Sequence, residues 1–326
     1  MNLLDYRLNI IPINVFIDPQ YPVERAIITH AHADHAKPGH KKVLGTKETL
    51  EIMKIRYGKE CAKEFQYLNY GQKISIDGVS ITLFPAGHII GSSQVLLEYK
   101  NHKIVITGDY KTMKDSTSSA FELIKCDTLV TEATFGLPIF KHPNPNTEIT
   151  KVLESVETNN DTNHLIGVYA LGKAQRIIKL LRENGFQDTI FIHGALKKIC
   201  DYYQSTGINL GKLQTVTKDI SSYKQKIILA PPSALKDRWS RKFRNKILSQ
   251  ASGWMNIKQR VKQSLIEIPL VISDHSDWNE LTKTISECGA ENIWVTHGRE
   301  EGLVHWCKTI GLNAKPLSLK GREEEY

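Results

Sequence analysis

Four side chains able to bind a metal crowd into the stretch Thr29-His30-Ala31-His32-Ala33-Asp34-His35, directly after the apolar segment Ala26-Ile27-Ile28. Imidazole nitrogen and carboxylate oxygen suit zinc or a similar divalent cation, and this density reads as a hydrolytic centre with two metals and positions open for water. A solvated polar loop with a chance cluster of histidines would need no partners downstream, yet partners follow. His88 closes Pro85-Ala86-Gly87-His88 after the alternating segment 79–84, Asp109 closes the β-branched run that starts at Val105, and His297 comes near the end of 292–298. Each sits where a strand should end, so a loop can aim it. Alone, His88 or His297 would be an ordinary loop histidine. Together and in this order, separate strand ends each deliver an oxygen or nitrogen donor.

The pattern His30-x-His32-x-Asp34-His35, then His88, then Asp109 resembles the metallo-β-lactamase superfamily. That resemblance implies that His30, His32 and His88 hold one metal, that Asp34, His35 and His297 hold a second, and that Asp109 bridges them. The cations would be two divalent ions, zinc or alternatively manganese, and Asp34 counts among the catalytic residues as well as the ligands. Asp18, in Val15-Phe16-Ile17-Asp18-Pro19, matches an early aspartate that steadies the histidine loop in this family; without the family it could equally be a turn residue before Pro19.

Further segments resemble the β-CASP nucleases within that superfamily. Leu129-Val130-Thr131-Glu132-Ala133-Thr134-Phe135-Gly136 looks like their first signature, with Glu132 as the acidic residue. Val271-Ile272-Ser273-Asp274-His275-Ser276-Asp277-Trp278 resembles the second, centred on His275, and Val295-Thr296-His297-Gly298 the third. Glu132 orienting His275, which would bind phosphate and protonate the leaving oxygen, completes the implied catalytic set. Segments such as Ala170-Leu171-Gly172-Lys173-Ala174-Gln175-Arg176 and Ala251-Ser252-Gly253-Trp254-Met255 are similar to the bacterial ligase-associated DNA exonucleases, compact relatives often labelled as mRNA 3'-end processing factors. The resemblance runs from about residue 5 to about residue 315. It implies a metallo-β-lactamase αββα sandwich, α/β in class, with an inserted β-CASP α/β domain capping the metal site: residues 1–145 as the first part of the sandwich, 146–263 as the insertion, and 264–326 as the return.

The elements that must position these residues can be read coarsely. Short β-type segments are predicted at 26–29, 42–44, 79–84, 94–99, 103–107 and 128–131, with a capped helix over 46–57. From about Asn146 a βαβ rhythm of strand 165–169, helix 173–184, strand 189–192 and strand 226–229 predicts a parallel sheet. Strand 269–272, helix 278–288, strand 292–296 and a last helix over 302–310 are expected back in the first domain. Within the insertion, Gly172 and Lys173 fall between a strand and a helix, where backbone N–H groups and a lysine can hold a phosphate oxygen. It is not a P-loop, since the spaced glycines are missing. Ser252 and Gly253 also look suited to a phosphate, which by family likeness would be a terminal 5'-phosphate. His193 follows another strand and is either a substrate contact or a structural histidine.

Composition sets the remaining bounds. A chain of 326 residues with 40% hydrophobic and 24% charged residues can bury two cores. Its five cysteines, Cys61, Cys126, Cys200, Cys288 and Cys307, have no paired spacing, and a reducing cytoplasm is the expected home. Asp5 and Arg7 interrupt the apolar N-terminal stretch, and no run is long enough to cross a bilayer, so neither export nor a membrane partner is expected. The formal net charge of +8 is uneven: Lys236, Arg238, Arg241, Lys242, Arg244, Lys246, Lys258, Arg260 and Lys262 face the single acid Asp237, with Trp239, Phe243 and Trp254 interleaved. Such a stretch neutralises phosphates and stacks unpaired bases, though an isolated run of this kind is more often a solvated face. The expected partner is nucleic acid, DNA rather than RNA, with association to a DNA ligase and helicase implied by the family alone. A ribonuclease of the same group is the nearest alternative. A small-molecule hydrolase would leave the basic insertion unexplained, and a non-catalytic subunit normally comes with lost ligands. The acidic end Glu323-Glu324-Glu325 reads as a frayed tail without a role.

Overall fold

The computed structural model describes residues 3–217, 219 and 223–320; the acidic end lies outside them. Contacts divide the chain into one unit of Met1–Lys141 with His275–Tyr326 and a second of His142–Asp274. In chain order the first unit contributes β1 (Asn9–Ile10), β2 (Val15–Ile17), β3 (Arg25–Ile27), β4 (His40–Gly45), α1 (Lys47–Tyr57), β5 (Ala62–Tyr67), β6 (Lys73–Ile76), β7 (Val79–Pro85), β8 (Ser93–Tyr99), β9 (His102–Ile106) and β10 (Thr128–Ala133). The second holds α2 (Pro145–Thr158), β11 (Asn163–Gly167), α3 (Lys173–Glu183), β12 (Ile190–Ile192), α4 (Gly194–Ser205), β13 (Leu213–Thr215), β14 (Ile227–Ala230), α5 (Pro232–Lys236), α6 (Arg238–Arg241), β15 (Lys246–Ala251), α7 (Lys258–Ser264) and β16 (Ile268–Leu270). The chain then returns through α8 (Trp278–Cys288), β17 (Asn292–Gly298), α9 (Glu300–Thr309) and β18 (Asn313–Pro316).

Two sheets make the first unit, one ordered β1-β2-β3-β4-β5 and the other β18-β17-β10-β9-β8-β7-β6. Side chains alternate between the faces of a strand, and the sequence uses that period to feed two separate cores. Ile27 and Leu44 point inward with Val95, Leu97, Ile104, Ile106 and Val130, forming the layer between the sheets. Their neighbours Ala26 and Val43 point outward against Leu50 and Met53 of α1. On the far side Leu96, Val105 and Leu129 meet Leu281, Ile285, Leu303 and Val304 of α8 and α9. The result is helix, sheet, sheet, helix, the αββα sandwich.

The second unit has one sheet, β13-β12-β14-β11-β15-β16, with every pair parallel. Its central strands β11, β12 and β14 are buried along their length, which suits a sheet covered on both faces. Here the expected domain boundary is corrected. The segment expected to rejoin the first domain at residue 264 instead forms β16, whose Ser249↔Ile268 to Ala251↔Leu270 register with β15 keeps it in the second unit as far as Asp274.

Several elements carry no clear periodic signal in sequence. Strand β5 is mostly exposed, and β15 is half-buried along most of its length. No helix among the described residues is long and apolar enough to cross a membrane. All five cysteines are buried and free.

Candidate metal centre

The histidine-rich run is a turn and not the extended tail of a strand. Strand β3 stops at Ile27, and the N–H groups of His35 and Ala36 both donate to the His32 carbonyl, at 3.1 and 2.8 Å. Folding back in this way lets His30, His32 and His35 approach one centre from different sides. Asp18 secures the turn: its carboxylate accepts from the Thr29 N–H at 2.8 Å and the Thr29 hydroxyl at 2.5 Å, and lies 2.7 Å from Nδ1 of His35. Held so, His35 carries its Nδ1 proton toward Asp18 and turns Nε2 to the site, 3.3 Å from Oδ2 of Asp109.

Glycine permits the other loops to close in. Gly87 has φ +74, and a Cβ there would sit 2.1 Å from the Lys111 carbonyl, so the loop carrying His88 and the loop carrying Asp109 touch backbone to backbone. His297 arrives differently. The β10–β17 register runs Glu132↔Thr296 and then Ala133↔Gly298, which leaves His297 as an extra, unpaired residue at φ 52. A bulge re-aims a side chain, and a left-handed non-glycine residue is strain of the sort found at functional sites.

Around Asp109 the donors converge. Oδ2 of Asp109 lies 3.4 Å from Nε2 of His30, 3.9 Å from Nε2 of His88 and 3.9 Å from Nδ1 of His275. Nε2 of His88 and Nδ1 of His32 are 3.0 Å apart, and the His35 and His297 rings are centred 4.8 Å apart. Four sets have donor atoms all within 4.8 Å of one another: His30, His32, His88 and Asp109; Asp18, His30 and His35; His35, Asp109 and His297; and Asp109, Glu132 and His275. Asp34 is not brought into them. Its side chain is 78% exposed, with Oδ2 3.9 Å from Nε2 of His35, because the turn that gathers the histidines points it to solvent.

The electrostatics fit a cation. Burial, then the neighbouring His35, holds the His30 imidazole well below its ordinary value, and its Nε2 is buried without a hydrogen-bond partner. Burial raises the Asp109 carboxyl, but His35 and His275 outweigh it and hold the group well below the usual carboxylate range. A neutral buried nitrogen, with its lone pair unused, beside an ionised carboxylate is a donor set for a divalent metal.

Beside this set, Nδ1 of His275 lies 3.2 and 3.1 Å from the two oxygens of Glu132, and Oε1 of Glu132 also accepts from the Tyr110 N–H at 2.9 Å. Glu132 thus links the residue after Asp109 to the His275 ring.

The second unit puts the expected substrate residues to other uses. Lys173 is buried; its ammonium donates to the Ile272 carbonyl at 2.8 Å and forms an ion pair with the Asp274 carboxylate at 3.0 Å, so it is occupied internally where a phosphate contact was expected. His193 accepts the Ala195 N–H at 3.0 Å as the cap of α4 and packs against Trp239. Ser252 accepts from the Trp254 N–H at 3.3 Å, and Gly253 is buried in the short turn that follows. All four follow the carboxyl ends of parallel strands, the edge where α/β sheets bind ligands. Of the nine basic residues between Lys236 and Lys262, only Lys246 is partly buried; the rest are exposed, and Arg260 lies over the Trp254 ring at 4.4 Å.

Sequence reasoning missed Glu280. A legible signal existed in the Asp277-x-x-Glu280 capping box at the start of α8.

No family model matches the chain. A protein of Opitutus terrae described as a probable DNA ligase is 25% identical over 309 residues, 89% of this chain and 29% of its own length. RNase aCSPSF2 of Saccharolobus solfataricus is 26% identical over 238 residues, 61% of this chain and 47% of its own. Cleavage and polyadenylation specificity factor subunit 3 of Dictyostelium discoideum is 30% identical over 161 residues, 45% of this chain and 20% of its own. The chain therefore spans less than half the length of each of these relatives. A solved protein of unknown function from Enterococcus faecalis V583 superposes with a TM-score of 0.60 over 86% of this chain and 76% of that one, at 14% identity, a likeness of fold. These likenesses coincide with an αββα sandwich whose loops gather histidines about one buried aspartate, and in both respects the chain is similar to the β-CASP group of the metallo-β-lactamase superfamily.

Proposed function

We propose that the chain is a nuclease that hydrolyses phosphodiester bonds with two divalent cations, zinc or alternatively manganese, and that its substrate is DNA with a 5'-phosphorylated end. The observation that carries the hydrolytic reading is the convergence of His30, His32, His35, His88 and His297 on Asp109. Likeness to a probable DNA ligase over 89% of the chain favours DNA and a place in repair or end processing beside a ligase, with a helicase partner implied by the family resemblance alone. Free buried cysteines agree with a cytoplasmic setting.

His30, His32 and His88 would hold one cation and His35 and His297 the other, with Asp109 between them and Asp34 joining by turning its exposed side chain inward. When bound, such ions lower the pKa of water and offset charge on phosphoryl oxygens. Asp18 holds His35 in the tautomer that presents Nε2. Glu132 draws the Nδ1 proton of His275, the nitrogen that also stands 3.9 Å from Oδ2 of Asp109, so proton exchange with the substrate falls to Nε2. Exposed Lys and Arg of 236–262 supply electrostatic attraction for the polyanion.

A ribonuclease reading is favoured by the relatives named as an RNase and as a cleavage and polyadenylation specificity factor subunit. Both chemistries use the same centre, and the group that senses a 2'-hydroxyl is local. Digestion of 5'- and 3'-labelled DNA and RNA of one sequence, with and without a 5'-phosphate, in zinc or manganese, decides between them. Mononucleotides released from 5'-phosphorylated DNA are expected; cleavage of RNA alone would transfer the assignment to RNA, and no cleavage of either would end the nuclease reading.

A further inference from the structure

After β9 the chain runs from Thr107 to Asp127 before the next strand, and Asp109 sits near the start of that excursion. A carboxylate that must hold its place among several histidines cannot rely on the sheet there. Its tether comes from α8, well over a hundred residues later in the chain. Oε1 of Glu280 accepts from the Thr112 N–H at 3.1 Å, the Thr112 hydroxyl at 2.7 Å and the Met113 N–H at 2.8 Å. Oε2 accepts from the Lys111 ammonium and from the Asp277 N–H at 3.0 Å.

A capping box needs only the last of these bonds. The others bind the segment that follows Asp109. Lys111 is 2% exposed, so the pair it makes with Glu280 is shielded from water, and its own N–H donates to the Ala86 carbonyl at 3.0 Å, beside the loop of His88. One residue along, the Ser276 N–H and hydroxyl both donate to the Tyr110 carbonyl, at 2.7 and 3.0 Å. The N-terminus of α8 therefore grips both sides of the centre: the loop of Asp109 through Glu280 and Ser276, and His275 as the residue next to Ser276.

We propose that Glu280 is a positioning residue for the hydrolytic reaction, fixing the Asp109 loop relative to His275 through its hydrogen bonds to Lys111, Thr112 and Met113. The inference rests on the nuclease reading above. It touches neither metal nor substrate directly, and acts by holding the bridging carboxylate and the imidazole at their working separation.

Removing Glu280 alone would strand the buried Lys111 and could unfold the chain, so the test compares two double variants in the full protein. Lys111→Met with Glu280→Gln keeps an acceptor oxygen for the Thr112 and Met113 amides, whereas Lys111→Met with Glu280→Ala removes it. With both variants folded by circular dichroism, the alanine variant is expected to show kcat lower than the glutamine variant by about 100-fold, the scale of an ångström misplacement, with KM unchanged. Faster hydrogen exchange at the Thr112 and Met113 amides and an altered absorption spectrum of the cobalt-substituted protein should accompany it. Equal kcat and identical cobalt spectra would overturn the proposal. If the unaltered chain cleaves neither DNA nor RNA, the nuclease reading fails by itself, and the cobalt spectra and amide exchange still decide whether Glu280 positions the Asp109 loop.

Discussion

Oδ2 of Asp18 stands 2.7 Å from Nδ1 of His35, and the other oxygen of the same carboxylate takes the backbone N–H of Thr29, one residue before the first ligand histidine. One side chain therefore sets both the ring orientation at one end of the turn and the backbone at the other. Replacing Asp18 by Asn keeps the shape but weakens the charge partner of His35, and should lower metal affinity about 10- to 100-fold. Competition of zinc or cobalt against a chelator measures this; unchanged affinity would show that His35 needs no such support.

Loss of metal and loss of turnover should separate between two positions. Asp109→Ala removes the carboxylate shared by three of the four donor sets and should abolish metal loading and cleavage together. His275→Ala should load metal normally and still lose roughly 100-fold or more in kcat, the usual weight of a general acid. Metal content by mass spectrometry, set beside single-turnover rates, gives both readings. Full cleavage by metal-loaded His275→Ala would remove the imidazole from the mechanism.

Lys173 should matter for stability before affinity. Its ammonium and the Asp274 carboxylate are buried 3.0 Å apart. Lys173→Ala leaves that carboxylate without its main cation, and breaking such a pair costs about 3–5 kcal/mol. Chemical denaturation should show the deficit, and the variant that remains folded should keep its KM for nucleic acid. A raised KM with unchanged stability would instead return Lys173 to the substrate.

Acid should find the Glu280 contact. Burial pushes this carboxyl up, yet the Lys111 ammonium, the Asp277 N–H and the Thr112 hydroxyl outweigh it and hold the group below its ordinary value. A carboxyl depressed on folding stabilises the native state above its unfolded pKa, about 4.3, and that contribution is lost as pH falls through the folded value. Stability of the unaltered chain should therefore fall with pH below about 4.3 more steeply than that of Lys111→Met with Glu280→Gln. Parallel acid-limb slopes in urea titrations would contradict the assignment.

The basic stretch of the second unit should show itself through salt. Changing Lys258, Arg260 and Lys262 together to Gln removes three exposed charges. If they meet phosphates, binding to single-stranded DNA weakens across all sequences, and the slope of log K against log salt shrinks by about 2. An unaltered slope, measured by fluorescence anisotropy, would make them a solvated face.

How much of this was readable beforehand differs residue by residue. The histidines at 30, 32, 35, 88 and 297, together with Asp109, stood out because metal chemistry admits few residue types and strand ends are marked by short-range pattern. Helix α8 was placed at 278–288, where the structure has it, since an N-cap and an apolar stripe are local properties. Strand β16 was assigned to the wrong unit, because which edge a short strand joins depends on partners far along the chain. Lys173 resembled a phosphate contact by its place between strand and helix; whether it points outward or inward is settled by Asp274, about a hundred residues away. Asp34 shared the motif of its neighbours, yet the 32–36 turn sends it to solvent. Residue type and local spacing thus determined which chemistry the chain could attempt. Only the packing of distant segments decided which side chains face the centre, and how Glu280, Glu132 and Asp18 hold them there, because those bonds close between atoms that the covalent chain does not bring together.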